Sequence, residues 1–321
     1  MKKIIIVTVS DKNRGLGHIS RCVSLYHMMK DHFNISFIVN DIDFSINSFN
    51  ELKYCNIDSF TSFQSPDFII DHQSIYVLDG YDFTLEFQKK LKENCQKLIM
   101  IDDLNDRDIN CDAIINYNLN GPNEIYKIKE QYKGIKYALL RPIFLNNIKK
   151  KSNNYNLNFK NALITLGGGI KYNGIVKIVK ALHELNIKIS VIINPLHPEY
   201  RQLKEMNVEL YWNLNEVEIY NIFENKDFVI SAPSVTSFEL LSMLKPFFVI
   251  QTADNQEKNF KELINQKLAF NLGHINDLCT SKLKKTISTV LRDKLSIHKT
   301  RERQKSIIKE INPDNYIEVF N

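Results

Sequence analysis

The sequence contains no Cys-x-x-Cys pair, no Gly-Lys-Ser/Thr, no His-Glu-x-x-His and no Ser-His-Asp order. Its five cysteines, Cys22, Cys55, Cys95, Cys111 and Cys279, are odd in number and widely spaced. That spacing argues against a disulfide framework and a zinc site, and fits the reduced thiols of a cytoplasmic protein. No apolar stretch is long enough to span a bilayer. The first apolar run is short and meets Asp11-Lys12-Asn13-Arg14 at once, so no secretory leader is read there. No arginine-rich arm or aromatic–basic interleaving supports a nucleic-acid partner. The net charge of +5 lies partly in runs such as Lys149-Lys150-Lys151 and Lys282-Leu283-Lys284-Lys285, which read as solvated faces. His27, His32, His72, His183, His197, His274 and His298 show no ligand spacing, so no metal and no cofactor are expected.

What is present is ordinary globular composition over 321 residues, enough for two domains. Short apolar runs alternate with helical patterns. The expected strands are 4–9, 35–39, 75–79, 97–101 and 113–117, then 162–166, 187–193, 228–231, 247–251 and 269–272. Most are apolar throughout, as in parallel strands buried on both faces. Alternation with helices predicts α/β units with right-handed crossovers. The segment from Asn146 to Lys160 is rich in Lys and Asn and reads as a linker. The expected architecture is therefore α/β: two Rossmann-like domains, 1–148 and 149–321, facing across a cleft. Ligands in such folds bind outside the carboxyl ends of the strands. The stretch from Ser281 to Lys309 is expected to be helical throughout.

The most informative stretch is Gly15-Leu16-Gly17-His18-Ile19-Ser20-Arg21, between the first strand and an amphipathic run from Cys22 to Met29. It reads as strand, glycine turn, helix. Gly15 and Gly17 allow close approach of a ligand, and a helix N-terminus favours an anion. His18 stands there as a proton carrier. Ser20 occupies the place of the third glycine in a dinucleotide fingerprint, so that motif is absent. An ordinary strand-to-helix turn with a solvated histidine is the plainer reading.

The second half repeats the device. Gly167-Gly168-Gly169 follows a strand directly and reads as a phosphate loop, a hinge or a flexible turn. After the strand ending at Ser231, small hydroxylated residues lead into a helix near Ser234, again suited to phosphate. Glu239, about a turn and a half into that helix, reaches a sugar diol beside it or is simply a surface residue. Asp254-Asn255-Gln256-Glu257 follows another strand and falls on the same edge. Asp79 and the pair Asp102-Asp103 close strands of the first half, where carboxylates do acid–base work, bind metal or cap helices.

Taken in order, these segments resemble a known family: the UDP-sugar hydrolase of the pseudaminic acid pathway and its relatives among the spore-coat polysaccharide proteins. Residues 15–21 resemble its Gly-x-Gly-His-x-x-Arg, which includes Arg21. The segments Ile101-Asp102-Asp103-Leu104-Asn105-Asp106-Arg107, Tyr137-Ala138-Leu139-Leu140-Arg141-Pro142-Ile143-Phe144, Ser234 to Leu241 and Ala253-Asp254-Asn255-Gln256 resemble its other motifs. The resemblance covers most of the chain. It departs at Gly168-Gly169-Ile170, where the family usually has Gly-Gly-Thr-Asp, and at Gly80, where it often has His.

The resemblance implies the two-domain GT-B fold, shared with the peptidoglycan transferase that adds N-acetylglucosamine. It implies removal of UDP from a diacetamido-deoxy sugar in nonulosonic acid-type surface-glycan synthesis. His18 would be the base or water-orienting residue, Asn255 a second active-site residue, and Tyr81 a residue facing the sugar. Ser234, Val235 and Thr236 would hold the diphosphate and Glu239 the ribose. Gln256, Gly15, Gly17, Arg21, Gly167 and Gly168 complete the expected ligand contacts. A glycosyltransferase on the same fold is the alternative. In that case a membrane-facing patch is expected on the first domain, and Phe44 to Phe49 is the segment available for it, core or loop being its plainer reading. A catalytically dead sugar-nucleotide-binding module is the third reading, opposed by the presence of both His18 and Asn255.

Overall fold

The structure, a computed structural model, describes residues 1–10, 17–60, 69–150, 158–167 and 172–321. Gly15 and Gly168 lie outside the described residues. The chain divides into two compact units, Met1–Pro142 with Glu310–Asn321, and Ile143–Lys309.

The first unit is built on β1 (Lys3–Thr8), β2 (Asn34–Val39), β3 (Asn56–Ser59), β4 (Ile75–Asp79), β5 (Lys97–Ile101), β6 (Ala113–Asn116) and β7 (Glu130–Lys133). Its helices are α1 (Gly17–Met29), α2 (Ile42–Ser48) and α3 (Leu85–Asn94). All seven strands are parallel, in the order β3-β2-β1-β4-β5-β6-β7. The central strands are buried along nearly their whole length, because elements cover both faces. The order turns at β1 and β4, with Thr8 opposite Asp79. A ligand crevice forms outside the carboxyl ends at such a switch point. Gly121 fixes the chain beyond β6, since a Cβ there would meet the Asn116 carbonyl oxygen at 2.6 Å.

The second unit carries α4 (Pro142–Lys150), β8 (Asn161–Thr165), α5 (Ile175–His183), β9 (Lys188–Ile192), α6 (Tyr200–Lys204), β10 (Glu209–Tyr211) and α7 (Glu216–Asn225). There follow β11 (Phe228–Ser231), α8 (Val235–Ser242), β12 (Phe247–Gln251), α9 (Glu257–Asn265), β13 (Phe270–His274), α10 (Thr280–Arg292) and α11 (Lys294–Ile307). Its six strands are parallel in the order β10-β9-β8-β11-β12-β13, so the switch point falls between β8 and β11. The chain then returns to the first unit as α12 (Asn315–Phe320).

Several expectations change here. Three strands were not anticipated: β3, β7 and β10 are short edge strands, none fully buried, so no continuous apolar run marks them. The expected linker is helical in its first part, where α4 buries Phe144 against Tyr220 and Phe223. The expected single helix from Ser281 to Lys309 is broken at Asp293, whose side chain caps α11 by accepting from Ser296 N at 2.9 Å. The segment Phe44 to Phe49 runs along α2 to its end and is only partly exposed.

The division also differs from 149–321 as one domain, because Glu310–Asn321 packs with the first unit. Tyr316 and Phe320 are buried there. Tyr316 stands edge-on to Tyr137 at 5.7 Å and donates its hydroxyl to the Tyr137 carbonyl, and Phe320 meets Phe33 at 5.5 Å. No helix among the described residues is long and apolar enough to cross a membrane. Emptying the Tyr316 site removes a full aromatic core residue, so Tyr316→Ala is expected to destabilise the first unit by about 3–5 kcal/mol. Urea unfolding followed by circular dichroism checks this, and an unchanged midpoint would show that α12 is dispensable.

Candidate functional site

At the switch point of the first unit the sequence gathers a cluster of ionisable side chains. α1 starts at Gly17, so His18 lies in its first turn and Arg21 one turn further on the same face. β4 ends on Asp79, which is fully buried and whose carbonyl accepts from Thr8 Oγ1 at 2.9 Å. The Asp79 carboxylate lies 2.9 Å from His18 Nδ1 and accepts from Arg21 Nε at 2.6 Å, from Arg21 Nη2 and from Cys22 Sγ at 3.3 Å. Arg21 Nη1 donates to Asp103 Oδ2 at 2.7 Å and to the Tyr117 hydroxyl at 2.8 Å. Tyr81 donates to Asp103 Oδ1 at 2.9 Å. Its ring stands edge-on to His18 at 4.7 Å, and the Arg107 guanidinium carbon lies 5.2 Å from the Tyr81 ring centroid.

The electrostatics follow from burial against pairing. Burial opposes ionisation of Asp79, but Arg21 and then His18 reverse this and hold the carboxyl well below its ordinary range. Asp103 behaves alike: burial raises it, Arg21 lowers it, and the net direction is down. Burial pushes the Tyr117 and Tyr81 phenols up, and Asp103 adds to both. Burial, reinforced by Asp79, also raises the Cys22 thiol, which makes it a protonated core residue rather than a nucleophile.

Arg21 Nη2 lies 2.9 Å from His18 Nδ1 as well, and arginine only donates. Nδ1 therefore either gives a proton to Asp79 or accepts one from Arg21. Either bond has one ionised partner, and of the two the one to Asp79 gives the buried carboxylate a further donor. We assign the Nδ1–H tautomer on this ground, which leaves the lone pair on Nε2. The His18 side chain is 13% exposed.

The adjacent aspartate has a different task. Asp102 is fully buried, accepts from Tyr126 Oη and Asn105 N, both at 2.8 Å, and lies 3.2 Å from Arg107 Nη2. Burial raises its pKa. It secures the 102–107 turn that carries Asp103 and Arg107. Among the described residues no group of three His, Cys, Asp or Glu side chains is arranged to hold a metal.

The second unit contains two helix N-termini at its switch point, and they differ. α5, beyond the glycine loop, is already filled: Glu199 accepts from Gly174 N and Ile175 N at 2.9 Å and from Val176 N at 3.3 Å. The protein's own carboxylate thus occupies the place an anion would take there. Gly167 has a φ of +90°, a left-handed conformation that suits glycine, with open space where a Cβ would lie. Gly17 also meets nothing within 4 Å, so crowding does not require glycine there.

α8 is the contrasting terminus. The first N–H groups of a helix find no partner within it. Ser234 occupies the cap position but makes no side-chain capping bond to them. Ser231 Oγ and Ser237 Oγ both donate to the Ala232 carbonyl at 3.1 Å, and Asn259 Nδ2 donates to the Pro233 carbonyl at 3.2 Å. The turn is thereby pinned, with Val235 and Thr236 opening the helix. Glu239 lies on α8 and is 3% exposed, so it is not a surface residue. Asn255 is exposed on the single turn after β12, where Gln256 Oε1 accepts from Thr252 N at 2.9 Å and closes the loop.

The structure thus unites His18, Arg21 and Tyr81 in the first unit. In the second it groups Ser234, Val235, Thr236 and Glu239 on α8, with Asn255 and Gln256 following the neighbouring strand β12. Sequence reading missed Asp79, Asp103 and Tyr117 as partners of Arg21. The available signal was an acidic residue at the end of a strand, but nothing local shows that β4 pairs with β1.

No protein-family model matches the chain. A protein of Methanocaldococcus jannaschii, itself described as uncharacterised, is 26% identical over 359 aligned residues, covering 99% of this chain and 72% of its own. Among solved structures, MurG of Acinetobacter baumannii superposes with a TM-score of 0.61 at 10% identity, covering 100% of this chain and 99% of its own. UGT89C1 of Arabidopsis thaliana, complexed with quercetin, gives 0.69 at 10% identity, covering 99% and 98%. MnaA of S. aureus with UDP gives 0.64 at 12% identity, covering 100% and 95%. These likenesses establish the fold: two Rossmann-like α/β domains of the GT-B type.

Proposed function

We propose that the chain is a nucleotide-sugar hydrolase that cleaves a UDP-linked acetamido-deoxy sugar to free sugar and UDP. The observation that carries this reading is the buried Arg21–Asp79 pair holding His18 beside Tyr81. An imidazole so held is a general base. His18 Nε2 takes a proton from water as the water oxygen bonds to the anomeric carbon. The bond from that carbon to the diphosphate oxygen breaks, and its electron pair leaves with UDP. The transition state has oxocarbenium character, as in other glycosidic cleavage. In the second unit, N–H groups of Val235 and Thr236 bind the diphosphate and stabilise its growing charge. Glu239 is the ribose residue, Asn255 the second polar group of the site, and Tyr81 the residue that meets the sugar.

A second reading is supported by the fold of proteins named as glycosyltransferases, among them one from Rickettsia africae with a TM-score of 0.62. The nucleotide chemistry would be the same, with an acceptor hydroxyl in place of water. Incubation with UDP-sugars in the absence of acceptor separates the two. Stoichiometric UDP release, with labelled water oxygen entering the sugar and not the phosphate, is expected for the hydrolase. Negligible release with turnover restored by an acceptor would establish the transferase.

His18→Asn is expected to lower kcat on the order of 10²–10⁴-fold with little change in UDP affinity. Unchanged turnover in steady-state kinetics would remove His18 from its role. Arg21→Met leaves the buried Asp79 and the partly exposed Asp103 carboxylates without their cation, so a loss of about 3–5 kcal/mol in denaturant unfolding is expected. Val235→Pro deletes one N–H at a helix position that accepts proline, behind an extended Ser234. UDP binding by calorimetry is expected to weaken roughly tenfold with the fold retained, on the scale of one charge-assisted hydrogen bond.

A further inference from the structure

Two buried polar atoms of the first unit stand at contact distance without sharing a hydrogen bond. Arg107 Nη2 and Asp102 Oδ1 lie 3.2 Å apart, and neither has a hydrogen-bond partner among the described residues. Buried polar atoms are paired as a rule, so an orphaned donor beside an orphaned acceptor needs a reason. The other Asp102 oxygen already accepts from Tyr126 Oη and Asn105 N. The guanidinium meets a different partner: it lies over the Tyr81 ring, with Cζ 5.2 Å from the centroid. An arginine on an aromatic face gives up the in-plane fork by which it would grip a carboxylate.

Tyr81 needs such a hold. It is 37% exposed and follows Gly80, which is packed so closely that a Cβ there would meet the Phe83 ring and Val9 at 3.0 Å. Packing thus fixes the backbone before it, but an exposed side chain changes rotamer within nanoseconds unless contacts restrain it. The Tyr81 hydroxyl donates to Asp103 Oδ1 at 2.9 Å. That oxygen lies on the axis about which the ring turns, so the bond anchors the tip and leaves the plane free. A cation seated on the face sets the plane. The plane matters because the ring stands edge-on to His18, at 4.7 Å and 81°.

Arg107 is itself anchored and its charge is matched. Asp106 Oδ1 lies 3.6 Å from Nη1, and Asp102 Oδ1 lies 3.2 Å from Nη2. A phosphate gains little from a cation already flanked by two carboxylates. We propose that Arg107 is a positioning residue: it fixes the plane of the Tyr81 ring, and through that ring the direction in which His18 presents Nε2. Its consequence for turnover rests on the hydrolase reading given above, whereas the geometry itself exists without substrate.

Histidine-selective NMR of the full chain reads that geometry directly. The aromatic ring of Tyr81 shifts the His18 resonances, which are assigned by their loss in His18→Asn. Arg107→Gln, with Arg107→Met as a second cation-free variant, is expected to move them toward their values in Tyr81→Leu. Arg107→Lys keeps a cation able to reach the ring and is expected to hold them near wild type. In kinetics, Arg107→Gln is expected to lower kcat about tenfold with KM within about twofold, and Arg107→Lys to stay within about threefold of wild type. Once Tyr81 is leucine, Arg107→Gln is expected to have no further effect. Thermal melts verify the fold of each variant. Unmoved His18 resonances in both cation-free variants, or the same loss of kcat with and without the Tyr81 ring, overturn the positioning role. No UDP release from any UDP-sugar by wild type, with the His18 resonances moving as stated, overturns the hydrolase reading alone.

Discussion

One cation organises the first unit. Arg21 is 3% exposed and lies between two carboxylates and a phenol, all contributed by different strands' ends. Burying any of these charges singly is costly, and the arrangement persists because each is paired and hydrogen-bonded. Five segments converge on it: α1 through His18, Arg21 and Cys22, β4 through Asp79, and the chain beyond β4, β5 and β6 through Tyr81, Asp103 and Tyr117. A buried guanidinium with its planar fork filled fixes angles as well as distances. The orientation of His18 is therefore a property of the whole switch point.

The second unit solves the same topological problem differently. It has two helices whose N-termini open at its switch point, and one is closed by Glu199. At α8 no capping bond from Ser234 fills the first N–H groups among the described residues, and Ser231, Ser237 and Asn259 donate to carbonyls of the turn before it.

Much of this was legible in the residues. Unbroken apolar runs such as Ile75 to Leu78 and Phe247 to Ile250 announce strands covered on both faces, and the structure has them there. Edge strands escape that test: Asn56-Ile57-Asp58-Ser59 and Glu130-Gln131-Tyr132-Lys133 carry no apolar run, because an edge need not be buried. His18 and Ser234 stand out through local strand–turn–helix patterns. Asp79 does not, since its meaning depends on the pairing of β1 with β4, in which Thr8 meets Asp79 across a separation of 71 residues. Glu199 escaped for the same reason, its helix being in another segment. Asp293 was hidden because a capping aspartate between two helices leaves their amphipathic spacing nearly continuous.

The return of α12 has a consequence for biogenesis. The first unit is discontinuous in sequence, with the second inserted between residues 142 and 310. On the ribosome, its sheet is made early, yet the patch around Phe33 and Tyr137 stays uncovered until Tyr316 and Phe320 emerge. The inserted unit is contiguous and has every strand it needs well before then. Vectorial synthesis thus favours maturation of the later-made unit before the earlier-made one, which waits for α12 to close it.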